Sequence, residues 1–536
     1  MARCIVSVVV EVQPQGVDQL RTLISQLRTS QAALDPPYPA LQAIKSLHFL
    51  SMTVFADARY DPIFVIEANF DPPAGPFWAD LDAAIGTELR EMFRCCKRPP
   101  GPVGLMFDAV TVHGAKMSLA PFLEAQALVP TVGYEGARGM SRARIEQEAA
   151  LFLDLREALK DPRPFHEKSP AQIHSALRNQ LLPKHACLRE EPPPRLPLLE
   201  NIGDWVKMIG LVLAIVIILH LPGMLLAWVV PPWPALAVIL LAGAPAAIML
   251  KNGLEAPHDN PAGAANAHKP KTRMASGTTK NLLIAVGVLL IFELLVALAI
   301  WLIGGSLHWH GDFQAALIIA GLGLAGAIVL VTLILARLRQ LEQLDPTQEF
   351  PPPDSRKVRE IMALEDKISQ NHMSSLVQVK PGLLRAILMR AGLMGLGFFM
   401  RAQPEARRGF LAGVRTIHFA QVAPVSNGGR LMFLTNFDGS WENYLNDFTE
   451  KVHLAVTLVW TNGVGFPPTR FLILDGASRG RLFKAWKRHS MAPSLFWFSA
   501  YRHLSVEQIE RDARLAEGLR QSVLTSKKAE KWAMDL

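Results

Sequence analysis

Two stretches of this chain, about 370 residues apart, carry versions of the same text, and four membrane-length apolar segments lie between them. The first copy places His48 and Phe49 some twenty residues before Asn69, Phe70 and Asp71; the second places His418 and Phe419 before Asn436, Phe437 and Asp438. Further on, Arg138, Ser141, Ile145, Glu146, Ala149 and Leu151 return in register as Arg502, Ser505, Ile509, Glu510, Ala513 and Leu515. That is six identities in fourteen positions, where chance gives about one; because the blocks also keep their order, they read as a duplicated domain, and a repeat constrains architecture before any local pattern does.

The apolar excess lies in the middle of the chain. Mean hydropathy is +0.20 with 19% charged residues, too greasy for a soluble protein of 536 residues. Segments of roughly 18 to 26 residues can cross a hydrocarbon core about 30 Å thick. Four fit: Trp205–Val230, Trp233–Leu250, Asn281–Ile303 and Phe313–Ala336. Basic residues flank one side only. Lys184, Arg189, Arg195 and Lys207 precede the first span, Lys251, Lys269, Lys271, Arg273 and Lys280 fill the middle loop, and Arg337, Arg339, Arg356, Lys357 and Arg359 follow the last. The positive-inside rule then puts both termini and the loop 251–280 in the cytoplasm. The net charge of +8 follows from these clusters and from attraction to anionic lipid, with no aromatic interleaving that suggests nucleic acid. Within the spans His220 and Glu293 are ionisable, which is costly in lipid and marks either a functional path or an interhelical hydrogen bond. His308, His310 and Asp312 alternate in the outer turn, either as an interfacial turn or as metal ligands. Cys4, Cys95, Cys96 and Cys187 have neither disulfide-framework nor zinc spacing, so reduced thiols and no metal site are expected. The start, up to Val10, reads as a buried strand and not as a signal peptide.

The fold class expected is α+β plus membrane α-helical, with two ferredoxin-like modules flanking the four-helix block. The first module, 1–160, orders strands Val6–Gln13, Ser46–Phe55, Ile63–Phe70 and Leu105–His113 around helices Gly16–Leu34 and Phe77–Cys96, a β-α-β-β-α-β sequence. A strand near Pro130–Tyr134 and a helix from Ser141 complete it. The second, 371–524, repeats the plan with strands Ser374–Lys380, Thr416–Val422, Leu431–Asn436 and Arg470–Leu474, a helix Trp441–Trp460, and a final strand Leu495–Tyr501. Ser505 and Gln508 form a capping box for its last helix. Proline-rich linkers are expected at 161–204 and 341–370, with 205–340 in the membrane and a tail at 525–536. The greasy helix Leu383–Met400 carries Arg385 and Arg390, so it reads as interfacial or packed between modules.

Strand parity sorts the candidate site. Leu47, Phe49 and Phe55 share one face, suited to lying under the helices. His48 shares the other with Ser46, Leu50, Met52 and Val54, and His418 shares its face with Thr416 and Ala420. That second face is too apolar for water, so the two modules are expected to pair sheet on sheet with His48 and His418 lining the space between. The histidines are then either satisfied core groups, bonded to Ser46, Thr416 or a carbonyl, or ligand contacts. Asn69, Asp71, Asn436 and Asp438 end strands and open helices, where they cap exposed N–H groups or bind an anion. No phosphate loop, nucleophile elbow, zinc-protease or dinucleotide motif is present.

The block from Thr416 and His418 through Arg430, Asn436, Asp438 and Trp441 to Tyr444 resembles a group of largely uncharacterised bacterial membrane proteins. More remotely, two ferredoxin-like units in one chain look like the dimeric α/β-barrel arrangement of dye-decolourising peroxidases and chlorite dismutases, which bind haem through a histidine. Asp438 and Gly439 match the end of the G-x-x-D-G motif of those peroxidases, with Thr435 at its first position. That resemblance implies His48 or His418 as an iron ligand and Asp438 or Arg430 beside peroxide. Three functions follow as expectations: a membrane protein whose cytoplasmic module binds a hydrophobic or lipid-like small molecule; a haem-dependent peroxidase or oxygenase; or a small transporter using Glu293 and His220, for which four helices would need a homo-oligomer.

Overall fold

The computed structural model describes residues 4–57, 60–192, 194–255, 290–302, 313–345, 355–365, 368–402 and 413–536. The loop 256–280, the first part of the third span and the outer turn with His308, His310 and Asp312 lie outside the described residues. The chain divides into two compact units, one of Met1–Val206, Gln348–Pro467 and Asp475–Leu536, the other of Lys207–Thr347 with Pro468–Leu474.

Strands in chain order are β1 (Cys4–Glu11), β2 (Leu47–Asp57), β3 (Tyr60–Phe70), β4 (Ala127–Leu128), β5 (Val132–Glu135), β6 (Gln370–Gln378), β7 (Ile417–Val425), β8 (Arg430–Asp438), the short pair β9 (Thr469–Arg470) and β10 (Leu474–Asp475), β11 (Met491–Ala492) and β12 (Ser494–Ser499). The first unit holds two five-stranded antiparallel sheets, ordered β12-β2-β3-β1-β4 and β11-β6-β8-β7-β5. Strand for strand the two orders match. β4 stays with its own sheet while β5 crosses to pair with β7 of the other copy, and β11 stays while β12 crosses to pair with β2. Pro130 lies between β4 and β5, and Pro493 between β11 and β12. A proline has no N–H to give a ladder, so each strand is interrupted where it changes sheet.

The two sheets meet face to face. Phe55, Ile63 and Val65 of one form a single buried cluster with Leu376, Ala423, Met432 and Leu434 of the other. Their outer faces are covered by helices. Leu20 and Ile24 of the helix Val17–Ala32, with Phe77, Trp78 and Leu89 of Ala74–Arg94, bury Val8, Leu50, Met52, Val54 and Ile66. Met389, Tyr444, Trp460 and Trp486 do the same for Met373, Leu431 and Phe433. Each such side chain contributes about 1.5–3 kcal/mol by leaving water. One contact repeats between copies: Phe70 stacks on Phe77 at 3.7 Å, and Phe437 on Tyr444 at 4.0 Å.

This reverses the parity expectation. Leu50, Met52 and Val54 face the helices, and Phe49, Ser51, Thr53 and Phe55 face the other sheet. The cause is a β-bulge, which shifts register between Leu47 and Phe49 and, in the second copy, between Ile417 and Phe419. A bulge adds one residue and flips everything beyond it to the other face.

Other expectations are corrected as well. Residues 102–111 form a helix, not a strand: Pro102 opens it after Gly101 at positive φ, and Gly104, Phe107 and Val110 are buried at three-residue spacing. The helix predicted over Trp441–Trp460 breaks at Val452 into Trp441–Lys451 and His453–Trp460. Phe471–Ile473, expected in a strand, form the turn between β9 and β10. The stretch from 161 is no extended linker, because Ser169 and Gln172 cap a helix Pro170–Leu181 whose Leu177 and Leu181 pack with Leu515, Leu519 and Trp532. Trp532 itself lies in the expected tail, as part of the helix Ser526–Ala533.

The repeated helices Arg142–Leu159 and Val506–Arg520 pack together over buried acids. Glu148 is bonded to Arg144 and Arg520, at 3.0 and 2.8 Å, while Asp512 has only its neighbour Arg511 for Oδ1 and no partner for Oδ2. Burial pushes the Asp512 carboxyl up to about 6, against the pull of Arg511. A raised carboxyl favours the fold while neutral and loses that advantage as pH rises through the folded value. Asp512→Asn is therefore expected to match wild type near pH 4 and to be roughly 1–2 kcal/mol more stable at pH 8, read from denaturant midpoints at the two pH values.

The second unit is built of apolar helices. Leu198–Val229, Pro232–Asn252 and Phe313–Leu344 are long and apolar enough to cross a membrane, and so is Leu383–Ala402 of the first unit; the third expected span is described only as the shorter apolar helix Leu290–Leu302. The first and last of the block touch at glycines: a Cβ on Gly223 would fall 2.2 Å from the Leu322 carbonyl oxygen, and one on Gly326 would fall 2.7 Å from the Gly223 Cα. Small residues at such crossings are what membrane helices use in place of a hydrophobic driving force. Large side chains on their outer surfaces stay exposed, Trp228, Trp233 and Leu241 among them.

Candidate functional site

The repeated His–Asp pairs are brought together as dyads. His48 Nε2 lies 3.0 Å from Asp71 Oδ1, and His418 Nε2 lies 2.8 Å from Asp438 Oδ1. The second oxygen of each carboxylate accepts the first backbone N–H of a helix, Arg142 N for Asp71 and Val506 N for Asp438, both at 2.8 Å. A negative group there offsets the helix dipole and satisfies an orphan donor. Backbone bonds repeat too: Ser46 and Thr416 offer their carbonyls to the N–H of Asp71 and Asp438, and the carbonyls of His48 and His418 take the N–H of Ala500 and Gly136 on the crossing strands' ends. The histidines thus bond to carboxylates, not to the Ser46 or Thr416 hydroxyls expected. Each dyad ties a strand end to a helix start.

Between them sits an aromatic cluster. Tyr501 Oη lies 2.9 Å from His48 Nδ1 and its ring contacts both imidazoles, while Phe419 packs on His48 and Phe49 on His418. His48 and His418 lie among these rings where the two sheets join, and both are buried. Arg430 is not part of it. It sits at the opposite end of β8 from Asp438, where it donates to Ser426 and the Asp61 carbonyl and lies over Tyr60.

The residues do not fit a haem. Both ring nitrogens of His48 and Nε2 of His418 are hydrogen-bonded, and neither cavity described below is lined by either residue.

At the centre of the sheet-to-sheet contact, the sequence reading missed a buried pair. Glu67 of β3 and His372 of β6 are each almost wholly buried, with Nε2 to Oε2 at 2.8 Å. Ser51 Oγ donates to the same oxygen, and the amides of Asn69 and Asn436 both donate to Oε1, at 3.1 and 3.2 Å. The repeated asparagines therefore converge on one carboxylate. Burial pushes the Glu67 carboxyl up, but the hydrogen bond and charge of His372, with the side-chain amides, outweigh it and hold it below the usual value. A signal was present in the repeat. The second copy has Leu434 where the first has Glu67, and the first has Ile5 where the second has His372. A charge in only one copy of an apolar strand position marks where the duplicate has diverged.

Of two cavities in the first unit, one is a polar cleft of about 610 Å³ whose walls mix Asp18, Arg21, Asp57, Arg356, Lys357 and Glu360. The other is apolar, about 140 Å³, behind the second sheet on its helix-covered face. Met373, Ile417 and Phe433 of the sheet, Leu396 and Phe399 of the helix Leu383–Ala402, Ala455 and Val459 of His453–Trp460, and Phe483 form its wall. Phe399 is half exposed at its edge, and Leu383, Ile387 and Met394 of the same helix are exposed as well.

Among the described residues one cation lines this cavity. Lys487 is 1% exposed, and its Nζ makes no hydrogen bond. It lies 3.6 Å from the Trp460 ring centre, 4.7 Å from Phe433 and 5.4 Å from Trp486. Its neighbours on the same helix, Lys484 and Arg488, are paired with Glu442 and Glu365. Among the described residues the cavity wall carries no carboxylate. Burial therefore drives the Lys487 ammonium well below its ordinary pKa.

In the membrane block, His220 Nε2 lies 2.9 Å from Glu293 Oε1, and His220 Nδ1 lies 2.8 Å from the Val216 carbonyl one turn back. The structure thus joins the two intramembrane candidates in one interhelical hydrogen bond. Among the described residues no group of His, Cys, Asp and Glu is placed to hold a metal ion. Comparison of the chain with known protein families, with characterised proteins and with solved structures finds no match.

Proposed function

We propose that this is a membrane protein of the bacterial inner membrane, both termini cytoplasmic, whose duplicated module binds an apolar, lipid-like small molecule. The observation that carries the reading is the cavity behind the second sheet, whose wall is almost entirely aliphatic and aromatic. Pockets of this kind, with few polar groups, are where small ligands bind. The exposed apolar side chains beside it suit entry from a lipid surface. Two ferredoxin-like units are the finer reading of the fold, supported by the order β4-β1-β3-β2 in one sheet and β11-β6-β8-β7 in the other. The exchange of β5 and β12 supports the arrangement of a dimeric α/β barrel. The basic clusters around the spans support the orientation.

The test is binding of a fluorescent acyl-chain analogue to the full chain in detergent. Ala455→Phe, which places a ring inside the cavity, is expected to weaken binding at least tenfold, or about 1.4 kcal/mol, with unchanged circular dichroism. A wild-type protein that binds no analogue, or an Ala455→Phe variant that binds as well, would remove the reading.

A further inference from the structure

The apolar cavity holds a group that an inert lipid pocket would not need. A lysine amine without a hydrogen-bond partner, enclosed by Trp460, Phe433 and Trp486, is costly to keep, because an apolar residue of the same length would fill the space without penalty. Its chemistry narrows the ligand's head group. A carboxylate brought to Lys487 would form a buried ion pair, and its remaining lone pairs would need further donors. Among the described residues no other cationic side chain lines the wall, so the cost of desolvating both charges would go largely uncompensated. A carbonyl avoids that cost.

We infer that the cavity captures hydrophobic aldehydes, with Lys487 as the nucleophile that forms a Schiff base. The lysine nitrogen adds to the carbonyl carbon to form a carbinolamine. Loss of water then leaves the imine, so that R–CHO and the lysine amine give R–CH=N–lysine and one H2O, with no oxidant or reductant. The product is a neutral imine in an apolar wall, and the alkyl chain lies along Leu396, Phe399, Ala455 and Val459. A desolvated lysine in a hydrophobic pocket is the activated form of this nucleophile. The lowered ammonium pKa described above keeps the amine free to react. This inference rests on the ligand-binding reading and adds the class of head group.

The experiment incubates the full-length protein in detergent with octanal and sodium cyanoborohydride at neutral pH, followed by peptide mapping by mass spectrometry. The expected result is an octyl adduct on Lys487 at least tenfold in excess of that on any exposed lysine, and none at that position in Lys487→Met. Octanol, which has the same chain and no carbonyl, is expected to displace the fluorescent analogue from both proteins without forming an adduct. Displacement by octanal and octanol with label spread over surface lysines and absent from Lys487 would overturn the Schiff base and leave the binding reading standing. Failure of both to displace the analogue would overturn the two together.

Discussion

Replacing His372 with alanine is expected to destabilise the first unit by about 3–5 kcal/mol, because it leaves the Glu67 carboxylate buried without the imidazole that bonds it. The second mutation makes the test specific. Glu67→Gln keeps an oxygen for the amides of Asn69 and Asn436 and puts an N–H towards His372. In the wild-type background it is expected to be neutral or mildly destabilising, by no more than about 1 kcal/mol. In the His372→Ala background the same change is expected to stabilise, since it removes an unpaired charge. A double-mutant cycle from urea midpoints gives the sign directly, and simple additivity would show that the pair carries no coupling. The pH dependence has a sign as well. A carboxyl held below its usual value contributes stability that is present above that usual value and is lost as pH falls through the folded one. Wild type is therefore expected to lose more stability on acidification than Glu67→Gln.

The second large effect is a gain. Lys487→Met replaces a buried amine with an unbranched apolar chain of similar length in a wall of Phe433, Trp460, Phe483 and Trp486. At pH 7 the unfolded chain holds the lysine proton while the fold disfavours it, so wild-type stability falls as pH drops from the ordinary lysine value towards the folded one. The variant has no such slope. It is expected to exceed wild type by about 1–3 kcal/mol at pH 7, the usual cost of a buried polar group without a hydrogen bond, with the margin shrinking as pH rises towards 10. A thermal-shift series across pH measures it. Equal stability at every pH would mean that the amine is solvated and the cavity wall is not as described. A position where the native residue costs stability is one where function is the natural reason to keep it.

Much of this architecture is legible in residue order. The repeat announces two equivalent sheets, and most strand positions follow from alternation. Ser505 and Gln508 do form the capping box expected of them. The dyads were half visible: His48 with Asp71 and His418 with Asp438 recur at matching spacing, yet their bonding to one another waits on two strands lying side by side. The bulge at His48 and His418 was hidden, because one extra residue in a ladder is a property of the partner's register. Leu105–Val110 misled for a simpler reason, since a short apolar run fits a strand or a buried helix equally well.

The sequence by itself determined the mixed α+β class and the apolar helices in the middle of the chain, because those rest on local periodicity, length and composition. Tertiary structure alone decided which sheet β5 and β12 join, since a strand's alternation fits either free edge. It also decided which residues became chemically unusual. Lys487, near the basic end of its helix, reads in sequence as an ordinary surface cation, and Glu67 as one residue of a repeated strand. Only packing removes water from both, giving one a histidine and two amides and the other three aromatic rings, and that difference in partners sets their opposite behaviour.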